Sequence, residues 1–189
     1  IITNARKNSD VREYPLGGVE RLIGMISKFI KIPSSMIGVA NGSDQILDLI
    51  LSNFATKKTK VLTSNPTFGF FEERCKLYDV PLITIPFSDD MKLNIKDFII
   101  QSKNADILYL DSPNNPTGFQ FSKKELQKLV ESFNGLIVID EAYCEFSNYS
   151  IINIVKKYNN LIVVQTLSKS FGLAGLRLGY FASSKKFTN

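Results

Sequence analysis

Apolar positions along the chain switch repeatedly between helical and strand-like spacing. Val19, Leu22, Ile23, Ile26, Phe29 and Ile30 fall at helical intervals and predict an amphipathic helix, ended by Ile32-Pro33. A short strand is expected at 37–40 and a helix at 46–54. A strand at 61–64 precedes a helix running to about Tyr78, and another strand is expected at 82–86. A short helix at 94–101 and a strand at 105–110 come next. Ser122 opens a further helix with Glu125 at its third position, a capping box, and its apolar face is Leu126, Leu129, Val130 and Phe133. Residues 135–139 read as a strand, 151–158 as a helix, and 161–166 and 176–182 as two more strands.

Strands alternating with helices, several of them wholly apolar, predict an α/β fold: a mostly parallel sheet with helices on both faces. One connection breaks the rule. Nine residues, 167–175, join the last two strands, fewer than the dozen or so a parallel crossover needs, so one strand is expected to run antiparallel. Arg12-Glu13-Tyr14-Pro15 followed by Gly17-Gly18 reads as an extended segment ending in a turn. The expected division is therefore an N-terminal extended segment, 1–16, and one large domain, 17–189. No internal repeat or low-complexity tract interrupts it.

Composition narrows the chemistry more than the fold. The chain's 189 residues can bury one good core. Its net charge of +5 is spread over short lysine pairs such as Lys57-Lys58 and Lys123-Lys124; that is not the basic stripe with interleaved aromatics of a nucleic-acid binder. No apolar run is long enough to span a bilayer and no signal-peptide pattern opens the chain, so no membrane partner and a cytoplasmic setting are expected. Cys75 and Cys144 make no disulfide framework and no zinc-ligand spacing, so no metal is expected. With no histidine, Ser-His-Asp and Cys-His catalysis are excluded within the chain, leaving acid–base work to Lys, Asp, Glu or Tyr. A start on Ile1-Ile2-Thr3 and a stop at Phe187-Thr188-Asn189 read as part of a longer polypeptide.

The most informative stretch is 166–180, T-L-S-K-S-F-G-L-A-G-L-R-L-G-Y. Lys169 leaves the end of a buried strand, where desolvation would free its amine as a nucleophile. Arg177 sits between leucines in the next apolar run, and a guanidinium held there suits a bidentate anion such as phosphate. A lysine for an aldehyde and an arginine for a phosphate are what pyridoxal 5'-phosphate requires. Two snorkelling cations on a solvated edge would read the same way locally. Gly42-Ser43-Asp44 deliver a helix N-terminus, an anion site or an ordinary N-cap. In an open α/β sheet ligands bind beyond the carboxyl ends of the strands. Those ends carry Asn41-Gly42-Ser43, Pro66-Thr67-Phe68, Asn114-Asn115-Pro116, Asp140 with Tyr143, and Ser168-Lys169.

In this order N-G-S-D, N-P-T-F, S-P-N-N-P-T-G, D-E-A-Y and the lysine stretch resemble the fold-type I, class I/II pyridoxal-phosphate aminotransferases. The histidinol-phosphate aminotransferase group is the most similar, through N-G-S-D-Q-I-L-D and D-E-A-Y-C-E-F, and the likeness runs from Tyr14 to Tyr180. The resemblance implies that Lys169 bonds to the cofactor's aldehyde and moves the substrate's proton. It implies that Asp140 faces the pyridine nitrogen, and that Tyr143 and Asn115 hydrogen-bond the ring's phenolic oxygen. Gly42, Ser43, Asp44, Ser168 and Arg177 would bind the phosphate, Phe68 would stack on the ring, and Asn115-Pro116 is expected to be cis. Phe68 stands where the family commonly has tyrosine, which keeps the stacking and drops the hydroxyl. Tyr14 matches a tyrosine that reaches the phosphate of a neighbouring subunit, implying a homodimer. The same residues also fit a helix-cap aspartate, a core tyrosine, an Asn-Pro turn, a core phenylalanine and a turn tyrosine. The family's small C-terminal domain, with its arginine for the substrate carboxylate, is expected to be absent from this chain. The implied reaction moves an amino group between glutamate and a 2-oxo or ketone phosphate, imidazole-acetol phosphate first. A lyase or amino-acid-phosphate decarboxylase of the same fold, or a non-catalytic module, is the alternative.

Overall fold

The computed structural model describes residues 18–188, so Tyr14 and the segment 1–16 lie outside the described residues. Seven strands form one sheet: β1 (Ile37–Asn41), β2 (Val61–Asn65), β3 (Leu82–Pro86), β4 (Ile107–Asp111), β5 (Leu136–Asp140), β6 (Leu161–Thr166) and β7 (Leu178–Ser183). Their order is β1-β7-β6-β5-β4-β2-β3. Only β7 opposes its neighbours, pairing antiparallel with both β6 and β1, as the short 166–178 connection demands. The helices are α1 (Glu20–Ile30), α2 (Gly42–Phe54), α3 (Gly69–Leu77), α4 (Ile95–Gln101) and α5 (Lys123–Ser132). Among the described residues no helix is long and apolar enough to cross a membrane.

Side chains alternate across the central strands, and each face has its own core. Ile107, Tyr109, Val138, Ile162 and Val164 pack with Leu47 and Leu51 of α2 and with Phe71 and Cys75 of α3. Leu108, Leu110, Ile137, Ile139, Leu161 and Val163 face the other way, onto Ile26 of α1, Phe98 of α4, and Leu126 and Leu129 of α5. Burying each such side chain stabilises the fold by about 1.5–3 kcal/mol. The capping box at α5 forms as the sequence predicts: the Glu125 carboxylate accepts the Ser122 amide at 2.9 Å, and Ser122 Oγ accepts the Glu125 amide at 3.3 Å. Asn115-Pro116 is cis, as are Asn65-Pro66 and Ser112-Pro113.

Two elements depart from the sequence reading. Residues 151–158 do not make an α-helix; they make a short 3₁₀ segment, Ile152–Lys156. Its β-branched run favours helix weakly, and side chains hold its first amides: Glu141 accepts the Ile151 N–H at 2.7 Å and Ser150 Oγ that of Ile152 at 3.1 Å. The last strand starts at Leu178, not 176. Ala174–Leu176 form a 3₁₀ turn and Arg177 follows in the left-handed region at φ 49°, which no strand accommodates.

Candidate active site

The carboxyl ends of β2, β4, β5 and β6 and the start of α2 open onto one cleft. Ser43, Asp44, Phe68, Asn115, Asp140, Tyr143, Ser168, Lys169 and Arg177 all line it, with Asp111, Pro113, Ala142 and Thr166. Residues far apart in sequence converge because parallel strands all finish on the same edge of the sheet. Gly42 sits at one wall, beneath Arg177. Tyr14 lies outside the described residues.

The wall around Arg177 joins a guanidinium to a helix N-terminus. α2 begins at Gly42 with φ +80°, a conformation that L side chains rarely adopt. A Cβ there would fall 2.7 Å from Arg177 Nη2, so the glycine leaves room for the guanidinium across the helix start. No side chain caps α2; the Asn41 amide donates to Gln45 Oε1 at 2.7 Å. The first turn thus has no side-chain cap where Ser43 and Asp44 line the cleft, at the end of the helix whose dipole favours negative charge. Arg177 Nη2 bonds Asp44 Oδ2 at 2.9 Å with both side chains half-exposed, and among the described residues its other guanidinium N–H groups have no side-chain partner. Gly179 brings this wall in. A Cβ on it would lie 2.3 Å from Gly42 C and Ser43 N, so only glycine lets β7 touch the start of α2.

Lys169 sits in a tight loop after β6. The Leu167 amide donates to Leu178 O at 3.0 Å, and the Gly172 amide to Lys169 O at 3.0 Å. The Ser168 amide donates to Thr166 Oγ1 at 3.2 Å. The sequence reading expects a desolvated lysine and an arginine inside an apolar run, but both side chains are exposed. The loop carries Lys169 past the strand's buried portion, and its Nζ lies 5.2 Å from the Tyr143 ring centre. Arg177 precedes β7 and turns outward with its left-handed backbone. Phe68 is half-buried at the N-cap of α3.

The floor is acidic and buried. Asp140 ends β5 at 3% exposure. Its Oδ1 accepts the Ala142 amide at 3.0 Å and its Oδ2 the Tyr109 hydroxyl at 3.2 Å. Burial, and then the charge of Asp111, push Asp140 up to about 7. Asp111 ends β4 beside it and accepts Thr67 Oγ1 at 3.1 Å, Asn114 Nδ2 at 2.9 Å and the Asn115 amide at 2.8 Å. Burial raises it as well, against those hydrogen bonds. On the opposite face Glu141, pushed up to about 7 by burial, accepts Ser150 Oγ at 2.5 Å, the Ile151 amide at 2.7 Å and Gln165 Nε2 at 2.7 Å. That network fixes the turn between Asp140 and Tyr143.

Asp111 and Tyr109 escape sequence reasoning as site residues, and Thr67, which it places at a strand end, is given no role by it. A signal existed: I-L-Y-L-D closes an apolar strand on an aspartate just as L-I-V-I-D does at Asp140. The cleft thus combines an exposed amine, a guanidinium with free helix amides, an aromatic wall and a buried carboxylate. This donor set suits a phosphate-bearing aldehyde with a basic ring nitrogen.

Known proteins share this sequence pattern and fold. The chain is 34% identical over 181 residues to histidinol-phosphate aminotransferase of Thermoanaerobacter pseudethanolicus, covering 95% of this chain and 52% of that protein. A crystal structure of histidinol-phosphate aminotransferase from Sinorhizobium meliloti in complex with pyridoxal-5'-phosphate superposes with a TM-score of 0.90 at 25% identity, covering 99% of this chain and 52% of that one. L-threonine-O-3-phosphate decarboxylase from Porphyromonas gingivalis superposes with a TM-score of 0.79 at 26% identity, covering 94% and 53%. The chain thus spans about half the length of the relatives it matches. Residues 4–189 match the family model described as aminotransferase class I and II. With that match running over nearly its whole length, the chain belongs to the class I and II aminotransferases.

Proposed function

We propose that residues 17–189 are the large domain of a pyridoxal 5'-phosphate-dependent aminotransferase. The observation that carries this is the convergence of Lys169, Asp140, Asn115, Tyr143 and Arg177 on one cleft. When bound, the cofactor supplies an aldehyde and a protonated ring that accepts the electron pair released at the substrate's α-carbon. Lys169 would hold the cofactor's aldehyde carbon and, once freed, would supply the amine that takes a proton from the substrate's α-carbon. Asp140 would keep the ring nitrogen protonated. Tyr143 and Asn115 orient the ring through its phenolic oxygen, and Phe68 covers one face. The amides of Gly42, Ser43 and Asp44, the Ser168 hydroxyl and the Arg177 guanidinium bind the phosphate.

Glutamate and imidazole-acetol phosphate, yielding 2-oxoglutarate and histidinol phosphate, are the proposed substrate pairs, supported by the name of the 34% identical relative. A phospho-amino-acid decarboxylase is the second reading, supported by the Porphyromonas structure. The same contacts serve both, and substrate placement decides which bond breaks. The working unit is proposed to be a cytoplasmic homodimer, with Tyr14 reaching the phosphate of the partner subunit. Exposed Met25, Phe29, Phe171 and Leu176 beside the lysine loop support the dimer; Phe29 and Phe171 already meet edge to face at 6.0 Å.

The test is an absorbance spectrum of the full-length protein with pyridoxal phosphate, before and after glutamate, beside Lys169→Ala. A band that forms in the wild type, shifts with glutamate and never forms in the variant is expected. A band indifferent to amino donors would favour the decarboxylase reading, and no band would sink the cofactor reading.

A further inference from the structure

The cleft floor holds two carboxylates where the proposed chemistry uses one. Asp111 and Asp140 are direct partners in the parallel β4–β5 register. Tyr109 and Val138, two residues earlier on each strand, share one core face, so both aspartates point to that same side. Both line the cleft, and they are 7% and 3% exposed. Neighbouring strands lie about 4.8 Å apart, and at an effective dielectric of about 20 unit charges at that separation couple by more than one pKa unit. Among the described residues no cation bonds to Asp111. Its partners are a hydroxyl, a side-chain amide and a backbone amide, all donors that favour its anion and none a cation.

We propose that Asp111 is a positioning residue that acts through Asp140, the two aspartates forming a coupled pair that keeps a proton at the place where the ring nitrogen sits. The other charged and titratable groups facing Asp140 are Tyr109 from β4, Asp44 from α2, Lys169 and Arg177 from the β6–β7 connection, and Tyr143. Asp111 is its register partner on one side, and the apolar Val164 on the other. In the free protein the pair carries one proton near neutrality, consistent with Asp140 being raised by burial and then by Asp111. In the loaded protein, Asp140 accepts the ring N–H. The charge of Asp111 behind it makes losing that proton to water less favourable. Asp111 thus extends the range of pH over which the ring stays cationic, and this rests on the cofactor reading given above.

Two measurements on the full-length protein test the pair. The first needs no cofactor: the protonated-carboxyl infrared band abolished by Asp140→Asn is titrated with pH. Its midpoint is expected near 7 in the wild type, about one unit lower in Asp111→Asn, and near the wild-type value in Asp111→Glu, which keeps the charge. The second is the pyridoxal phosphate dissociation constant at pH 8.5, expected to rise about tenfold in Asp111→Asn and much less in Asp111→Glu. A midpoint unmoved by Asp111→Asn overturns the pair, whatever the cofactor does. A shifted midpoint with no binding of pyridoxal phosphate by the wild type leaves the pair standing and sinks the cofactor reading. Should Asp111→Asn not fold, an unchanged acid band in Asp111→Ser would equally refute the coupling.

Discussion

Gly179→Ala is the smallest change that should dismantle the phosphate wall without touching any group in it. The added Cβ would lie 2.3 Å from Gly42 C and Ser43 N and 2.6 Å from Gly42 O, all backbone atoms. Carbon contacts settle near 3.5–4.0 Å, so the start of α2 must retreat by more than about 1 Å. β7 cannot yield instead, because Gly179 is paired with Ala40 on one side and Thr166 on the other. Overpacking of this kind costs about 1–3 kcal/mol of stability. Displacing positioning groups by roughly 1 Å costs on the order of 100-fold in the function they serve. The expected result is a folded protein of lower Tm whose affinity for pyridoxal phosphate, read by fluorescence titration, drops by about that factor. Gly175→Ala is the matched control, since nothing lies within 4 Å of the Cβ it would add. Wild-type affinity in Gly179→Ala would refute the idea that the approach of β7 to α2 builds the anion site.

Other consequences follow from the buried carboxylates. Asp140 and Glu141 are both pushed up to about 7 in the fold, against ordinary values of 3.8 and 4.5. Between those limits the unfolded chain binds fewer protons than the folded one, so their contribution is fully present below about pH 4 and is lost as pH rises through 7. The cofactor-free protein should therefore resist urea better at pH 5 than at pH 8. Three units at Asp140 correspond to roughly 4 kcal/mol as an upper figure, and Asp140→Asn should remove most of its share; a pH-independent midpoint would contradict this. Tyr109→Phe removes the hydroxyl that donates to Asp140 Oδ2. It should raise the Asp140 acid-band midpoint, opposite in sign to Asp111→Asn, and a downward shift would show that the hydrogen bond favours the neutral acid.

What was legible in the sequence was local pattern joined to chain order. The apolar runs at 107–110, 136–139 and 161–164 announce buried parallel strands, and the short link before Tyr180 announces the antiparallel one. Strand-end residues such as Asn115, Asp140 and Lys169 could be gathered because a parallel sheet delivers its carboxyl ends to one edge. The exposure of Arg177 was not legible, since its left-handed backbone depends on the 3₁₀ turn before it and not on a glycine that would have marked it. Nor was the 3₁₀ segment at 152–156, whose preceding residue Ile151 has its amide held by Glu141, ten positions away.

Asp111 was hidden for a different reason. Its sequence neighbours, Asp-Ser-Pro-Asn-Asn, describe a turn, and as a turn aspartate it hydrogen-bonds Asn114 and Asn115. Its second role arises from the strand order. Because β4 lies directly beside β5 and both end in register, an ordinary turn residue becomes the neighbour of Asp140. Desolvation then turns that adjacency into coupling, since the same pair on an exposed edge would be screened by water. Had any strand been inserted between β4 and β5, each aspartate could be read alone. The cleft's proton affinity is thus a property of the sheet topology, carried by two residues twenty-nine positions apart.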